Sequence, residues 1–253
     1  MFKSKVVIVT GGSSGIGAAT AELFAKEGAS VAIVARNEVK LNEVKKRCEE
    51  LGAKTLIIKA DIAKEEEVKT IVEKTVDTFG KLDILVNNAG ALKMGGIFED
   101  NIIEAFDEVI NTNLRSVILI TKLAAPYLIN TKGNVVNVSS VSSTAIPSKV
   151  SGLTPYAISK AGMDLYTKAA ALELAASGVR VNAINPGPVI TGMLDSFADK
   201  KAEELGDMMA QITALGRASE SEEIGDMVLY LASDKARGIT GSCFVVDNGF
   251  LLK

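Results

Sequence analysis

Strand-like and helix-like stretches alternate along the whole chain, and this alternation is the feature that most restricts its fold. Helical patterns separate the strand-like stretches and end before each new one. Such an order is typical of a parallel sheet whose right-handed crossover helices cover both faces. We therefore predict a single α/β domain, 1–253, built on a doubly wound parallel sheet of about seven strands. The predicted strands are 6–10, 30–34, 55–59, 84–87, 134–138, 180–185 and 242–246, and the predicted helices are roughly 17–27, 38–51, 64–79, 100–129, 155–177 and 220–233.

The segment Lys5–Gly17 joins an apolar run to a glycine-rich turn. Its apolar part is typical of a strand buried on both faces, and a helix is predicted directly after the turn. A strand, a glycine turn and a helix N-terminus together make an anion site, because backbone N–H groups and the helix dipole face the ligand. The spacing, Gly11-x-x-x-Gly15-x-Gly17, differs from the commonest dinucleotide fingerprint. A tight turn without a ligand is the alternative interpretation.

Tyr156 and Lys160 are four residues apart, so on a helix their side chains share one face. An adjacent ammonium favours phenolate over phenol, and we expect it to lower the pKa of the tyrosine toward the working pH. A phenol in that state can pass a proton to or from an alcohol or carbonyl oxygen. The spacing alone is common, so its significance depends on the rest of the chain.

These segments together resemble the short-chain dehydrogenase/reductase family, whose fingerprints are T-G-x-x-x-G-x-G and Y-x-x-x-K at this separation. The resemblance covers nearly the whole chain and is strongest toward reductases of the 3-oxoacyl-carrier-protein type. It implies a Rossmann-like fold and hydride transfer between a nicotinamide dinucleotide and a substrate of the ketone or secondary alcohol class. Further matching motifs are Asn87–Gly90, Asn111–Leu114, Val136–Ser140, Pro186–Thr191 and parts of 215–241.

The resemblance implies a catalytic set of Asn113, Ser140, Tyr156 and Lys160. Ser140 would hydrogen-bond the substrate oxygen, and Tyr156 would exchange the proton with it. Lys160 would lower the pKa of Tyr156 and bind the nicotinamide ribose, while Asn113 would hold a water that connects Lys160 to solvent. For Ser140 the alternative is a strand-end hydroxyl that only caps the backbone.

The cofactor is implied to contact residues at the carboxyl ends of several strands. Arg36 stands where an acid would select NAD(H), and arginine can pair with a 2′-phosphate and stack on adenine. NADP(H) is therefore favoured over NAD(H), a plain surface arginine being the alternative. Asp61 would meet the adenine amino group or would cap the following helix. The full implied set is Gly11, Ser13, Ser14, Gly15, Ile16, Gly17, Arg36, Asp61, Asn87, Ala89, Gly90, Tyr156, Lys160, Pro186, Gly187, Val189 and Thr191.

The stretch 187–217 contains no predicted strand and follows a strand end, so we predict a lid over cofactor and substrate. The Ser140–Tyr156 separation is longer than in most family members, which places extra residues, among them Pro147 and Lys149, at the substrate entrance. We expect a small-molecule carbonyl or alcohol substrate of apolar character. Candidate pocket residues are Leu92, Met94, Ile146, Leu153, Met193, Leu194 and Phe197.

Two further departures narrow the substrate class. Leu172 stands where carrier-protein reductases tend to carry a basic residue, which weakens a carrier-protein interpretation. The Tyr-x-x-x-Lys spacing also argues against the enoyl-reductase branch, which uses a wider separation. A catalytically silent dinucleotide-binding redox sensor or scaffold is the alternative class, and it predicts damage to the catalytic set that the sequence does not show.

Composition excludes several other classes. A net charge of −3 gives no electrostatic support to nucleic-acid or anionic-membrane binding. With no histidine and two isolated cysteines, the chain lacks Ser-His-Asp triads and the usual metal-site spacings, so no metal is predicted. No signal peptide or membrane span is recognisable, and a cytoplasmic location is expected. The long helices and the apolar terminus 245–253 are expected to form a homotetramer as in relatives, or a homodimer.

Overall fold

The seven predicted strands form one parallel sheet in the order β3-β2-β1-β4-β5-β6-β7. The computed structural model describes residues 1–146, 152–192 and 211–253. Each strand lies within one residue of its predicted bounds, because apolar residues on both faces mark a buried parallel strand. The strands are β1 (Val6–Thr10), β2 (Ser30–Ala35), β3 (Thr55–Lys59), β4 (Ile84–Asn87), β5 (Asn134–Val138), β6 (Arg180–Pro186) and β7 (Cys243–Val246).

Helices cover both faces of the sheet. From β1 to β3 successive strands are added toward one edge of the sheet, and from β4 to β7 toward the other, so the strand order reverses between β1 and β4. In open α/β sheets such a switch point leaves a crevice at the carboxyl ends of the strands. In the described part of the chain the α-helices are α1 (Gly15–Lys26), α2 (Glu38–Glu50), α3 (Glu65–Phe79), α4 (Ile102–Ile110), α5 (Ser116–Thr131), α6 (Thr154–Ala175) and α7 (Ser221–Ala232).

The predicted helical stretch over roughly 100–129 is present, but it is not a uniform α-helix. A π-helical turn, Asn111–Arg115, separates α4 from α5. The side chain of Asn113 in this turn is fully buried and bonds to both backbone groups of Ala91. The interruption therefore depends on contacts with another segment, which the local sequence pattern does not encode.

Two apolar layers hold the helices to the sheet. Along β1, Val7 and Val9 face α1, α2 and α7, whereas Ile8 faces α3 and α5, and all three side chains are fully buried. Burying an aliphatic side chain of this size contributes about 1.5–3 kcal/mol. With both faces covered, the central strands are accessible only at their ends.

The amino-terminal edge of the sheet contains a buried carboxylate that the sequence analysis did not single out. Asp83, which precedes β4, is only 2% exposed. Its oxygens lie 3.1 Å from Lys5 Nζ and 2.9 Å from Lys81 Nζ, and the backbone N–H of Val6 donates to it at 2.9 Å. Asp83 thus links the starts of β1 and β4 through contacts with Lys5, Val6 and Lys81.

The C-terminal helix is fixed at both ends by charged groups. At its start, Glu220 and Glu223 form a capping box, and Arg217 grips Glu223 through two nitrogen–oxygen contacts of 2.6 and 2.7 Å. At its end, the Arg180 guanidinium donates to the carbonyl oxygens of Leu231 and Ser233.

Among the described residues, no helix combines the length and the apolar character that crossing a membrane requires.

Candidate active site

The glycine turn between β1 and α1 is packed too closely against β4 for larger residues. Gly11 has a φ of +66°, and a Cβ there would lie 2.8 Å from Ala89 Cα. A Cβ on Gly17 would collide with the Gly11 carbonyl oxygen and with Asn88 Nδ2. The turn leads into the N-terminus of α1, where Ser14 is exposed and makes no side-chain capping bond. Backbone N–H groups at this helix start have the position that the predicted anion site requires.

Thr10 and Asn88 hold this turn in place, and neither was predicted to belong to the site. Thr10 Oγ1 accepts hydrogen bonds from the backbone N–H groups of Asn88 (3.0 Å) and Ala89 (3.1 Å). Asn88 Nδ2 in turn donates to the carbonyl oxygens of Thr10 and Gly11. Adjacent residues at a strand end point to opposite faces, and that alternation was the available signal.

The same alternation turns the side chain of Asn87 away from the crevice. Its side chain is buried and donates to Thr121 Oγ1 at 3.2 Å and to Asn137 Oδ1 at 2.8 Å. The Asn87 amide is therefore committed to the helix-covered face of the sheet. Only the backbone of this residue is left to face the crevice.

Lys160 and Asn113 meet beside Gly90 at the carboxyl end of β4. Lys160 is 3% exposed, and its Nζ donates to the carbonyl oxygen of Val138 at 2.8 Å. Asn113 Nδ2 donates to Ser159 Oγ at 3.0 Å. A Cβ placed on Gly90 would lie 3.4 Å from Asn113 Oδ1 and 3.8 Å from Lys160 Nζ. The glycine thus allows the two polar groups to share one buried space.

Ser140 and Tyr156 complete the predicted catalytic set. Tyr156 is half-buried, its ring centroid lies 5.6 Å from Lys160 Nζ, and its phenol is hydrogen-bonded to Ser140. Ser140 Oγ also accepts from the N–H of Ser142 and starts a short 3₁₀ turn, so the capping alternative describes a second contact of the same hydroxyl. Ser139 Oγ instead donates to the Lys160 carbonyl oxygen, which leaves Ser140 as the serine at the tyrosine.

Burial controls the protonation of both titratable groups in this set. It raises the pKa of the Tyr156 phenol, and the hydrogen bond with Ser140 opposes that rise. It lowers the pKa of the Lys160 ammonium to about 8, against the opposing charge of Asp164. The expectation of a lowered pKa for Tyr156 was thus wrong for the polypeptide, because desolvation of the phenol raises its pKa despite the nearby Lys160.

The residues predicted to bind the far end of the dinucleotide differ in how they are held. Arg36 is exposed after β2 and makes no ion pair within the described ranges. Asp61 Oδ1 accepts from Ala63 N–H at 3.0 Å, a turn that precedes α3. The helix itself begins after Lys64, so Asp61 is not its N-cap.

The segment after β6 returns to the glycine turn. A Cβ on Gly187 would lie 2.7 Å from Asp247 Cα, and Val189 forms an isolated bridge with Ser219. The Thr191 side chain reaches to 3.0 Å from the Cβ position of Gly15. Pro186 ends β6 immediately before, and of the predicted residues in this segment Thr191 lies beside the start of α1.

The predicted pocket residues are only partly described. Leu153 is buried, Leu92 and Met94 are half-buried, and Ile146 is exposed. Pro147, Lys149, Met193, Leu194 and Phe197 lie outside the described residues, as does the part 193–210 of the predicted lid.

The close packing at Gly11 and Gly17 holds the glycine turn against the end of β4, beside the buried ammonium and amide that flank Gly90. Such a turn at a helix N-terminus and sheet switch point fits a dinucleotide, whose pyrophosphate needs close backbone approach. Of the other predicted contacts, Ser13 lies in the same turn and Ile16 in the first turn of α1.

Comparisons with known proteins agree with this geometry. A family model described as enoyl-(acyl carrier protein) reductase matches residues 11–251. The 3-oxoacyl-(acyl-carrier-protein) reductase FabG of Thermotoga maritima is 38% identical over 252 residues, covering 99% of this chain and 99% of that protein. The cyclohexanol dehydrogenase of an Acinetobacter species is 35% identical and covers 100% of this chain and 97% of its own length.

A solved structure gives the same result for the fold. The short chain dehydrogenase from Burkholderia cenocepacia, determined in complex with NADP, superposes with a TM-score of 0.90. It is 32% identical to this chain and covers 99% of both chains. By sequence, fold and the match over residues 11–251, this chain belongs to the short-chain dehydrogenase/reductase family, a family of oxidoreductases that bind a nicotinamide dinucleotide.

Proposed function

We propose that this protein is an NADP(H)-dependent oxidoreductase that interconverts a ketone and a secondary alcohol. The observation that carries the proposal is the cluster around Lys160, whose buried ammonium lies beside Asn113 and 5.6 Å from the ring of Tyr156. A buried lysine without a carboxylate contact destabilises a fold, so its presence near the switch point of the sheet supports a functional role for Lys160.

In the proposed reduction, the Ser140 hydroxyl donates to the ketone oxygen and polarises the carbonyl. Tyr156 transfers its phenolic proton to that oxygen as the carbonyl carbon is reduced. When bound, the dinucleotide supplies the hydride in reduction and accepts it in oxidation. The raised pKa of Tyr156 keeps the phenol protonated near neutral pH, which suits a proton donor. Lys160 and Asn113 return a proton toward the phenol along the buried path beside Gly90.

The preference for NADP(H) rests on Arg36. Its guanidinium is exposed, has no ion-pair partner within the described chain, and follows the strand that places the adenosine ribose in this fold. A guanidinium matches a 2′-phosphate bidentately, whereas an acid at this position would repel it. The Burkholderia cenocepacia relative was solved with NADP, which supports the same choice.

The substrate is proposed to be a small apolar ketone or alcohol. Leu153, Leu92 and Met94 provide apolar surface near the site, and a cyclohexanol dehydrogenase is among the relatives. The matching family model is described as an enoyl reductase, but the Tyr-x-x-x-Lys spacing favours a carbonyl over a C=C substrate. The stretch 187–217 is proposed to cover this substrate as a lid.

We propose a homotetramer, with a homodimer as the alternative. Large apolar side chains are exposed on the outer faces of both α5 and α6. On α5, Ile118 is 42% accessible, and on α6, Leu165 is 68% and Leu172 is 81% accessible. The C-terminal Leu252 is 84% accessible. Apolar surface of this extent is typical of subunit contacts. A cytoplasmic location stays a prediction from the sequence.

Titration of the purified protein with NADPH and NADH, followed by a panel of ketones and enoyl thioesters, tests the proposal. We expect tighter NADPH binding, ketone-dependent NADPH oxidation, and loss of that turnover by at least about 100-fold in Tyr156→Phe. Arg36→Asp should reverse the cofactor preference while leaving the ketone panel unchanged. NADPH binding without turnover on any carbonyl would support the silent sensor instead, and turnover only on enoyl thioesters would favour C=C reduction.

A further inference from the structure

One helical turn after Lys160, α6 carries a carboxylate that no expectation from the sequence included. Asp164 Oδ2 accepts a hydrogen bond of 2.7 Å from Asn185 Nδ2. Asn185 lies near the end of β6 and is 2% exposed. The contact therefore ties the catalytic helix to the strand beside it.

The same amide nitrogen also holds the turn that follows β5. Asn185 Nδ2 lies 3.1 Å from the carbonyl oxygen of Ser140 and 2.8 Å from Ser143 Oγ. Ser140 is the residue whose hydroxyl bonds to Tyr156. A continuous chain of contacts thus runs from Asp164 through Asn185 to the backbone of the proposed catalytic serine.

The charge of Asp164 is only partly satisfied by these contacts. Its Oδ1 and the Oδ1 of Asn185 are buried and have no hydrogen-bond partner within the described residues. The groups around the carboxylate are the neutral amide of Asn185, the hydroxyl of Ser143, the thiol of Cys243 on β7, and the two lysines one turn away on α6, Lys160 and Lys168. Lys160 is the buried one of these two cations, so the field of the carboxylate is least screened toward it.

We propose that Asp164 is a positioning residue for the reaction: it retains the proton on Lys160 and, through Asn185, sets the position of Ser140. This inference rests on the proposed function for its catalytic consequence. The electrostatic half rests on placement: Asp164 follows Lys160 by four residues on α6, so the two side chains share one face of the helix, and Lys160 is only 3% exposed. In agreement with this placement, the Asp164 charge opposes the desolvation that lowers the pKa of Lys160.

The test compares Asp164→Asn with wild type in ketone reduction by NADPH across pH 6–10. Removing a nearby opposite charge shifts a pKa by about 1–3 units, so the alkaline limb of kcat/KM should move down by about one pH unit. At pH 9 the variant should be about tenfold slower, and at pH 6.5 within about twofold of wild type. Asp164→Glu, which keeps the charge, should restore the limb. An unmoved limb in Asp164→Asn would overturn the proposal.

A second readout needs no activity and separates this proposal from the proposed function. The free energy of unfolding is measured against pH for wild type, Asp164→Asn, Lys160→Met and the double variant. Coupling between the two sites below pH 8 that disappears above about pH 10 supports the proposal, and additive single effects at all pH values contradict it. If wild type reduces no ketone, the proposed function fails while this cycle still decides whether Asp164 acts on Lys160.

Asn185→Ala keeps the test decisive should Asp164→Asn fail to fold. This variant retains the carboxylate and removes the tie to Ser140. We expect kcat to fall at every pH by about three- to tenfold, because about one hydrogen bond that positions Ser140 is lost. The alkaline limb of kcat/KM should stay where it is or shift to higher pH. A limb that moves down in Asn185→Ala would contradict the assignment of the proton-holding role to Asp164.

Discussion

Each end of the parallel strands contains a buried charge, and the two charges have opposite surroundings. We call the N-terminal ends of the strands the amino edge and their C-terminal ends the carboxyl edge. At the amino edge, Asp83 is enclosed by two lysines and a backbone N–H. At the carboxyl edge, Lys160 Nζ donates to one carbonyl oxygen at 2.8 Å, and no carboxylate of the described ranges contacts it. A buried charge stabilises a fold only when its partners repay the cost of desolvation. The comparison indicates that the amino edge is built for stability and the carboxyl edge for chemistry.

The strongest way to break this comparison is to neutralise Lys160. In Lys160→Met we expect ketone reduction to fall by about 10²–10⁴-fold, because the proposed proton path and the proposed ribose contact are lost together. The free energy of unfolding should stay the same or increase, since a desolvated charge is replaced by an apolar side chain of similar length. Steady-state kinetics and urea denaturation measure the two effects. Lys168→Met, exposed on the same helix, is the matched control and should change neither. A marked loss of stability in Lys160→Met would show that the carboxyl edge is structural too.

The complementary change is Asp83→Asn at the amino edge. Both lysine partners of Asp83 are half-exposed and stay solvated in this variant, so the loss is that of hydrogen bonds to a charged group, about 1.5–3 kcal/mol, and the denaturation midpoint should fall. The kcat/KM of the protein that remains folded should be unchanged, because Asp83 lies at the end of the sheet opposite the site. Asp77→Asn, on the exposed face of α3, is the control and should have little effect on either quantity. A specific loss of turnover in folded Asp83→Asn would contradict the division between the two edges.

The smallest effect expected is a pH dependence of stability. The pKa of Lys160 is about 8 in the folded protein and about 10.4 in an unfolded chain, so between these values the unfolded state binds more protons. The free energy of unfolding should therefore rise with pH from about 8 toward 10. Above that, the raised pKa of Tyr156 acts in the opposite direction, because the unfolded phenol loses its proton first. Equilibrium denaturation at intervals of pH checks this, and the rise should be absent in Lys160→Met.

The strands and the glycine turn could be predicted from the sequence because their causes are local. Apolar runs such as Val6–Val9 mark strands buried on both faces, and the glycines coincide with a turn that leaves no space for a Cβ. The π-helical turn was missed because it depends on Asn113 contacting Ala91, far away in the sequence. Asp83 and Asp164 were missed for the same reason, since neither lies in a motif and their partners belong to other elements.

The direction in which the pKa of Tyr156 is shifted also could not be predicted from the sequence. Spacing correctly placed Lys160 beside the ring, but spacing contains no information about solvent. The outcome depends on how much of each group the fold withdraws from water, and that is a property of the packed protein. Likewise, the strand motif identified Asn87–Gly90, and only the pairing with β1 and β5 showed which asparagine faces the glycine turn.

The π-helical turn at Asn111–Arg115 also has a geometric consequence for the helix pair α4 and α5. A π turn accommodates one more residue than an α turn, so it offsets the angular phase of everything that follows by about 100°. Deleting one residue there would give a regular α-helix in which α5 keeps its present orientation. If all five residues instead adopted regular α geometry, the apolar stripe of α5, which includes Ile120, Ala124 and Leu128, would be rotated away from the sheet. The extra residue that buries Asn113 thus also sets the orientation of the whole following helix.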